Sequence, residues 1–147
     1  MAGEAAEAGL NFFLDRGLGS RIVPNALRDA GWVVETMDER YGKDDSQRIE
    51  DTQWIEEATL RGDILLCKDL AITRNPVEAQ VIFMSGARVF AMSNAGMIGR
   101  DMADIFLTNE LKIVQAIQRV SEPFVFAVGP NGLRRARLRY PDQALEP

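Results

Sequence analysis

Three aspartates stand where a carboxylate can do chemistry. Asp15 closes the apolar run NFFLD, Asp69 closes DILLCKD, and Asp51 opens DTQWIEEA, the segment that leads into that second run. Brought together, three ionised carboxylates repel one another and raise each other's pKa unless a cation neutralises them. A hard divalent ion with oxygen ligands, Mg²⁺ or Mn²⁺, is the usual resolution. Such an ion activates water and stabilises charge on a phosphodiester oxygen. Each aspartate also has a plainer reading. Asp51 suits a helix N-cap, Asp15 a turn residue before Arg16-Gly17, and Asp69 an acceptor for loop amides.

The rest of the composition removes alternatives. Histidine is absent from the 147 residues, which excludes Ser-His and Cys-His nucleophiles, histidine general bases and histidine-ligated zinc. Cys67 is the lone cysteine, so an intrachain disulfide and a cysteine metal cluster are both excluded. Its place in an apolar run marks it as packing. Seventeen basic against 22 acidic side chains give a net charge of −5, which argues against a broad nucleic-acid-binding surface. The distribution is uneven, however. Residues 35–57 carry nine acids and three bases, a balance of −6, whereas residues 134–139 carry four arginines and no acid. An anionic substrate therefore stays within reach. The opening MAGEAAEAGL has acids where a signal peptide has bases, and no apolar run is long enough to span a membrane. The expectation is a cytoplasmic protein.

The elements that must position the aspartates follow from pattern. Asn11–Asp15 is predicted as a buried strand. Gly17 and Gly19 open a turn, Ile22, Val23, Ala26, Leu27 and Ala30 recur at helical spacing, and Gly31 stops the helix. Trp32–Thr36 reads as the next strand. Met37–Glu50 has no period and reads as a solvated loop with at most a helical turn. A helix near Asp51 places Trp54, Ile55 and Ala58 on one face, and Asp63–Asp69 is a central strand. Pro76–Ser85 is a short helix and Arg88–Met92 a fourth strand. The longest helix begins near Gly99, with a stripe from Met102 to Val120, and Pro123 terminates it. Phe124–Val128, the turn GPNG and Leu133–Tyr140 form a hairpin, for which Asn131-Gly132 is the strongest signal.

Strands alternating with helices imply an α/β fold: a mostly parallel central sheet, helices on both faces and a C-terminal antiparallel hairpin. Residues 11–140 make the single domain, with a flexible N-terminal segment over 1–10 and a C-terminal tail over 141–147. In such a fold, helix N-termini lie at the carboxyl edge of the sheet. Asp15, Asp51 and Asp69 therefore project toward the edge where open α/β sheets bind ligands.

The stretches FFLDRGLG, DTQWIEEA and ILLCKDLAITR, in that order, resemble PIN-domain nucleases. The likeness runs from about Asn11 to Val128 and is strongest to the short PIN-like group that includes VapC-type toxins of VapBC toxin–antitoxin pairs. It implies a three-layer PIN-like fold, a metal-dependent ribonuclease, and an antitoxin partner that covers the active site. Carried over by position, Asp15, Asp51 and Asp69 are the metal-binding, catalytic acids, with Mg²⁺ or Mn²⁺ as cofactor. A homodimer is a further possible assembly. Two departures stand out. The better-known enzymes have glutamate where this chain has Asp51, and a further aspartate where RVFAM is followed by Ser93-Asn94. Glu56 and Glu57, about a turn past Asp51, are weaker substitutes.

Arg16, Lys68 and Arg74 flank the acids and are candidates to hold RNA phosphates that the carboxylates would otherwise repel. Their plain reading is solvated charge with local ion pairs. Gly17-x-Gly19 lacks the third glycine of a dinucleotide loop, since position 22 is Ile. Arg135, Arg137 and Arg139 protect a sheet edge, or else meet RNA or an acidic partner. The competing functional class is a non-enzymatic module, either a receiver-like signalling domain or a degenerate PIN-like domain kept for binding. A receiver wants paired acids after the first strand and a lysine after the last core strand. This chain has Asp15-Arg16 and Gly129-Pro130.

Overall fold

A computed structural model describes residues 3–138. The apolar runs become strands β1 (Asn11–Leu14), β2 (Val33–Glu35), β3 (Ile64–Cys67), β4 (Arg88–Met92), β5 (Phe124–Gly129) and β6 (Gly132–Ala136). They form one sheet in the order β2-β1-β3-β4-β5-β6, with the first five strands parallel and β6 antiparallel to β5. Phe13 stands opposite Leu65, Leu65 opposite Val89, and Val89 opposite Val125. Side chains alternate across the pleat, so this row faces one side of the sheet while Phe12, Leu14, Leu66 and Phe90 face the other.

Each face is covered by its own helices. On the Phe12 face lie α2 (Ile22–Asp29), α7 (Gly99–Thr108) and α8 (Glu110–Arg119), contributing Val23, Leu27, Ile105, Phe106 and Ile113. On the Phe13 face lie α3 (Met37–Tyr41), α4 (Asp51–Leu60) and α6 (Pro76–Ser85), contributing Met37, Trp54, Ile55, Ala58, Ala79 and Ile82. Two short helices complete the fold: α1 (Glu4–Glu7) and α5 (Ala71–Arg74). Within the expected N-terminal segment, α1 buries Ala5, whose N–H donates to Glu110 Oε2 of α8 at 3.0 Å. The architecture is the expected three-layer α/β fold, and Cys67 is buried in the second core as packing. Among the described residues, no helix is long and apolar enough to cross a membrane.

Three expectations need correction. Residues 37–50 are not a plain loop. Thr36 caps α3 through a reciprocal capping box with Glu39, and buried Ser46 donates its hydroxyl to Asp38 and to the Lys43 carbonyl. A five-residue helix anchored mainly by Met37 carries no apolar period, so pattern alone passes over it. The long helix is in fact two. Asn109 is buried between α7 and α8, and its Nδ2 donates to the Ile105 carbonyl at 2.8 Å and to Gly129 at 3.0 Å. That side chain fastens the break to the end of β5. The hairpin forms, but Gly129 pairs with Gly132, so Pro130 and Asn131 make the turn. Type I′ geometry needs positive φ at both turn residues, which the proline ring forbids. The second arm is strand over Gly132–Ala136, with Arg135 and Arg137 exposed. Arg139, Tyr140 and the tail 141–147 lie outside the described residues.

Asn109→Ala leaves the Gly129 carbonyl and a buried turn without their donor. Unfolding free energy is expected to fall by about 1–3 kcal/mol in urea denaturation, and a change too small to measure would show that the break needs no side-chain support.

Candidate active site

The strand order reverses between β1 and β3, so the loops leaving these neighbours diverge and open a crevice at the carboxyl edge. Asp15 is the first residue after β1. It caps a 3₁₀ turn (Arg16–Leu18) by accepting the Leu18 N–H on Oδ1 at 3.2 Å, and it accepts the Lys68 N–H on Oδ2 at 3.2 Å. The turn reading of Asp15 is therefore correct, and the residue also reaches across to the loop after β3. Burial pushes its carboxyl up to about 6, against the pull of those backbone donors, and the Asp51 charge adds to the rise.

Asp51 is the first residue of α4, with Glu50 at the N-cap position and no side-chain cap. The N-cap reading of Asp51 fails for that reason. Its Oδ1 instead accepts two donors from different directions, Arg16 Nη1 at 2.9 Å and Trp54 Nε1 at 2.8 Å. Arg16 extends further, donating Nη2 to the carbonyls of Ser46 and Ile49. Asp69 accepts the Ala71 N–H on Oδ1 at 2.7 Å, as the loop reading expects.

All three aspartates line one cleft of about 240 Å³, together with Arg16, Trp54 and Lys68. Arg74 and Glu56 are exposed and outside the lining, and half-buried Glu57 is outside it too. Glu57 is engaged elsewhere, accepting from the Tyr41 hydroxyl and from Gln53. Asn94 accepts the Gly96 N–H of its own turn. Neither residue of the Ser93-Asn94 pair contributes to the cleft wall.

The acid that sequence reasoning missed is Glu78, in the first turn of α6, which completes the wall of the cleft. Burial and the charges of Asp51 and Asp69 push its carboxyl up to about 7, with Arg16 opposing. The signal was present but ambiguous. An asparagine followed by proline and, two residues later, glutamate reads as ordinary helix capping.

The donors are hard oxygens throughout, which suits Mg²⁺ or Mn²⁺. Arg16 on Asp51 shows that a cation is accommodated there. Room is kept by Gly17, where a Cβ would stand 2.9 Å from Lys68 Cβ and 3.1 Å from Asp15 Oδ1. Among the described residues, no three acidic or cysteine side chains already form a metal cage. The acids line an open cleft, a geometry that suits an ion keeping several of its waters.

Comparisons with known proteins bear on the family of the chain. The family model for a PIN like domain matches residues 10–94. A curated protein of Mycobacterium tuberculosis (strain ATCC 25618 / H37Rv), named "Putative ribonuclease VapC45", is 35% identical over 125 residues, covering 85% of this chain and 90% of its own. No solved structure matches the chain.

A carboxyl whose pKa rises on folding weakens the fold as it ionises. For Glu78 the protonated state holds fully below about pH 4.5, and its contribution is lost as the pH climbs through about 7. Glu78→Gln removes that loss. In chelator, the variant is expected to gain on the parent between about pH 5 and 8, by roughly 1 kcal/mol after solvent screening. Urea denaturation across this range checks it, and parallel curves would show Glu78 to be free of its neighbours' field.

Proposed function

The chain belongs to the PIN-like domain family, and from that premise we propose that it is a metal-dependent ribonuclease, the toxin of a VapBC-type toxin–antitoxin pair, acting in the cytoplasm. The observation that carries this reading is the meeting of Asp15, Asp51 and Asp69 in one cleft at the reversal of strand order. The relative named as a ribonuclease aligns with 85% of the chain, which supports the same activity here.

Asp15, Asp51 and Asp69 would hold Mg²⁺ or Mn²⁺. Bound there, such an ion supplies Lewis-acid activation of water and charge stabilisation on the scissile phosphate. The chain's own residues do the positioning. Asp15 is fixed by backbone donors from two loops, so its carboxylate stays in place when the substrate's negative charge approaches. Arg16 and Trp54 both donate to Oδ1 of Asp51, which fixes its carboxylate at the cleft wall. Lys68 lines the cleft and is placed to offset repulsion between RNA phosphate and the acids. Arg74, exposed beyond the lining, suits a phosphate farther along the strand. Arg16 is committed to Asp51, so its charge serves the acids before it serves substrate.

Asp15→Asn, Asp51→Asn and Asp69→Asn are each expected to lower Mg²⁺- or Mn²⁺-dependent RNA cleavage by about 100-fold or more, with the circular dichroism spectrum unchanged. Undiminished cleavage in excess chelator would overturn the metal mechanism, and absence of cleavage with either metal would favour a PIN-like domain kept for binding. As a toxin, the chain is expected to arrest growth when expressed alone and to be neutralised by a protein encoded beside it. Harmless expression would sink the toxin assignment.

A further inference from the structure

The departures in the sequence leave a gap: after β4, where the resemblance calls for another aspartate, the chain has Ser93-Asn94, and neither residue lines the cleft. The structure fills the same cleft from another direction. We propose that Glu78 completes the carboxylate ligand set of the metal site, replacing from α6 the acid that is missing after β4. This rests on the metal-dependent reading above and adds a residue to it.

Local structure explains why Glu78 is free for that role. Asn75 caps α6, its Oδ1 accepting from Val77 N at 3.0 Å and Glu78 N at 3.1 Å, and Pro76 fixes the first helical residue. In a usual capping box, a glutamate at the third helical position folds back to the N–H of the cap residue. That N–H is already taken, since Asn75 N donates to the Ala71 carbonyl at 3.2 Å. The Glu78 carboxyl is thus released from the ordinary use of its position. The next residue, Ala79, is buried in the second core, and so is Ile82 one turn on. Their packing fixes the rotation of α6 and sets Glu78 on the flank beside Asp51.

Its surroundings point to a cation. Glu78 lines the same cleft wall as Asp51 and Asp69 and lies in the field of both. Among the described residues it has no ion-pair partner. Of the two cations that line the cleft, Arg16 is paired with Asp51. Four carboxyl groups line the cleft against two cations, Lys68 and the committed Arg16, an excess of acid that a divalent ion neutralises.

The test is Mn²⁺ titration of the full chain followed by tryptophan fluorescence. Trp54 lines the cleft and reports there, whereas Trp32 stacks on Phe12 in the opposite core, with ring centroids 4.7 Å apart. Glu78→Gln is expected to weaken apparent Mn²⁺ affinity about tenfold or more. Glu56→Gln, an exposed acid outside the lining carrying the same charge change, is expected to shift it less than about twofold, within the reach of screened surface charge. Thermal unfolding in chelator keeps a folding defect from passing as lost affinity. Equal Mn²⁺ affinity for Glu78→Gln and the parent would overturn this inference alone, provided Asp69→Asn loses binding. A parent that binds no Mn²⁺, or an Asp69→Asn variant that binds like the parent, would overturn the metal reading beneath it. Equal losses in Glu78→Gln and Glu56→Gln would reduce Glu78 to bulk charge and overturn the ligand assignment.

Discussion

Asp15 accepts one N–H from its own turn and another from Lys68, at the exit of the neighbouring strand. A single carboxylate therefore bridges two loops that the reversal of strand order sends in opposite directions. The cleft depends on that bridge. Without an acceptor between them, the turn after β1 and the loop after β3 would have separate geometries, and Asp69, two residues beyond Cys67, would have no fixed relation to Asp15. Gly17 shares in the constraint, because a side chain at that point would press on both Lys68 and the Asp15 carboxylate.

The same arrangement sets stability against function. The cleft gathers Asp15, Asp51, Asp69 and Glu78, and burial and neighbouring charge push the carboxyls of Asp15 and Glu78 up to about 6 and about 7. Arg16 relieves part of the strain by bonding Asp51 and, through its second nitrogen, the carbonyls of Ser46 and Ile49. The acidic segment before α4 thus contributes backbone carbonyls to hold an arginine, while its carboxylates largely face water. Trp54 does comparable double duty. Its ring belongs to the second core beside Phe13, and its N–H orients Asp51.

Much of this was legible in the sequence. Apolar runs ending in acids marked β1 and β3 with the aspartates that follow them, and topology then placed Asp51 at the same edge. The family likeness to PIN domains agrees with the matched region. What escaped was short range or side-chain specific. The capping box of α3 depends on two reciprocal bonds, and the break at Asn109 on one buried amide; neither disturbs apolar spacing. The GPNG turn forms where expected, but Pro130 and Asn131 rather than Asn131-Gly132 stand at its tip, because proline's fixed φ suits the first central turn position. Glu78 was hidden for a different reason. A glutamate in a first helical turn is commonplace, and only the competing Asn75–Ala71 bond and the packing of Ala79 reveal where its carboxyl goes.

The sheet divides the molecule into two cores, and both helices that carry site residues, α4 and α6, pack on the same side. The layer of α2, α7 and α8 touches the opposite face. Tolerance to sequence change should differ sharply between them. Exchanges of volume at Phe106 and Ile113 reach the carboxylates through the sheet or through Leu18, the member of that core whose N–H bonds Asp15, so the far side of that layer is the more open to drift and to remodelling for other contacts. Ala58 and Ala79, fully buried in the helices that present Asp51 and Glu78, have no such freedom. One added methyl there would overpack the core against which the helices carrying Asp51 and Glu78 are seated.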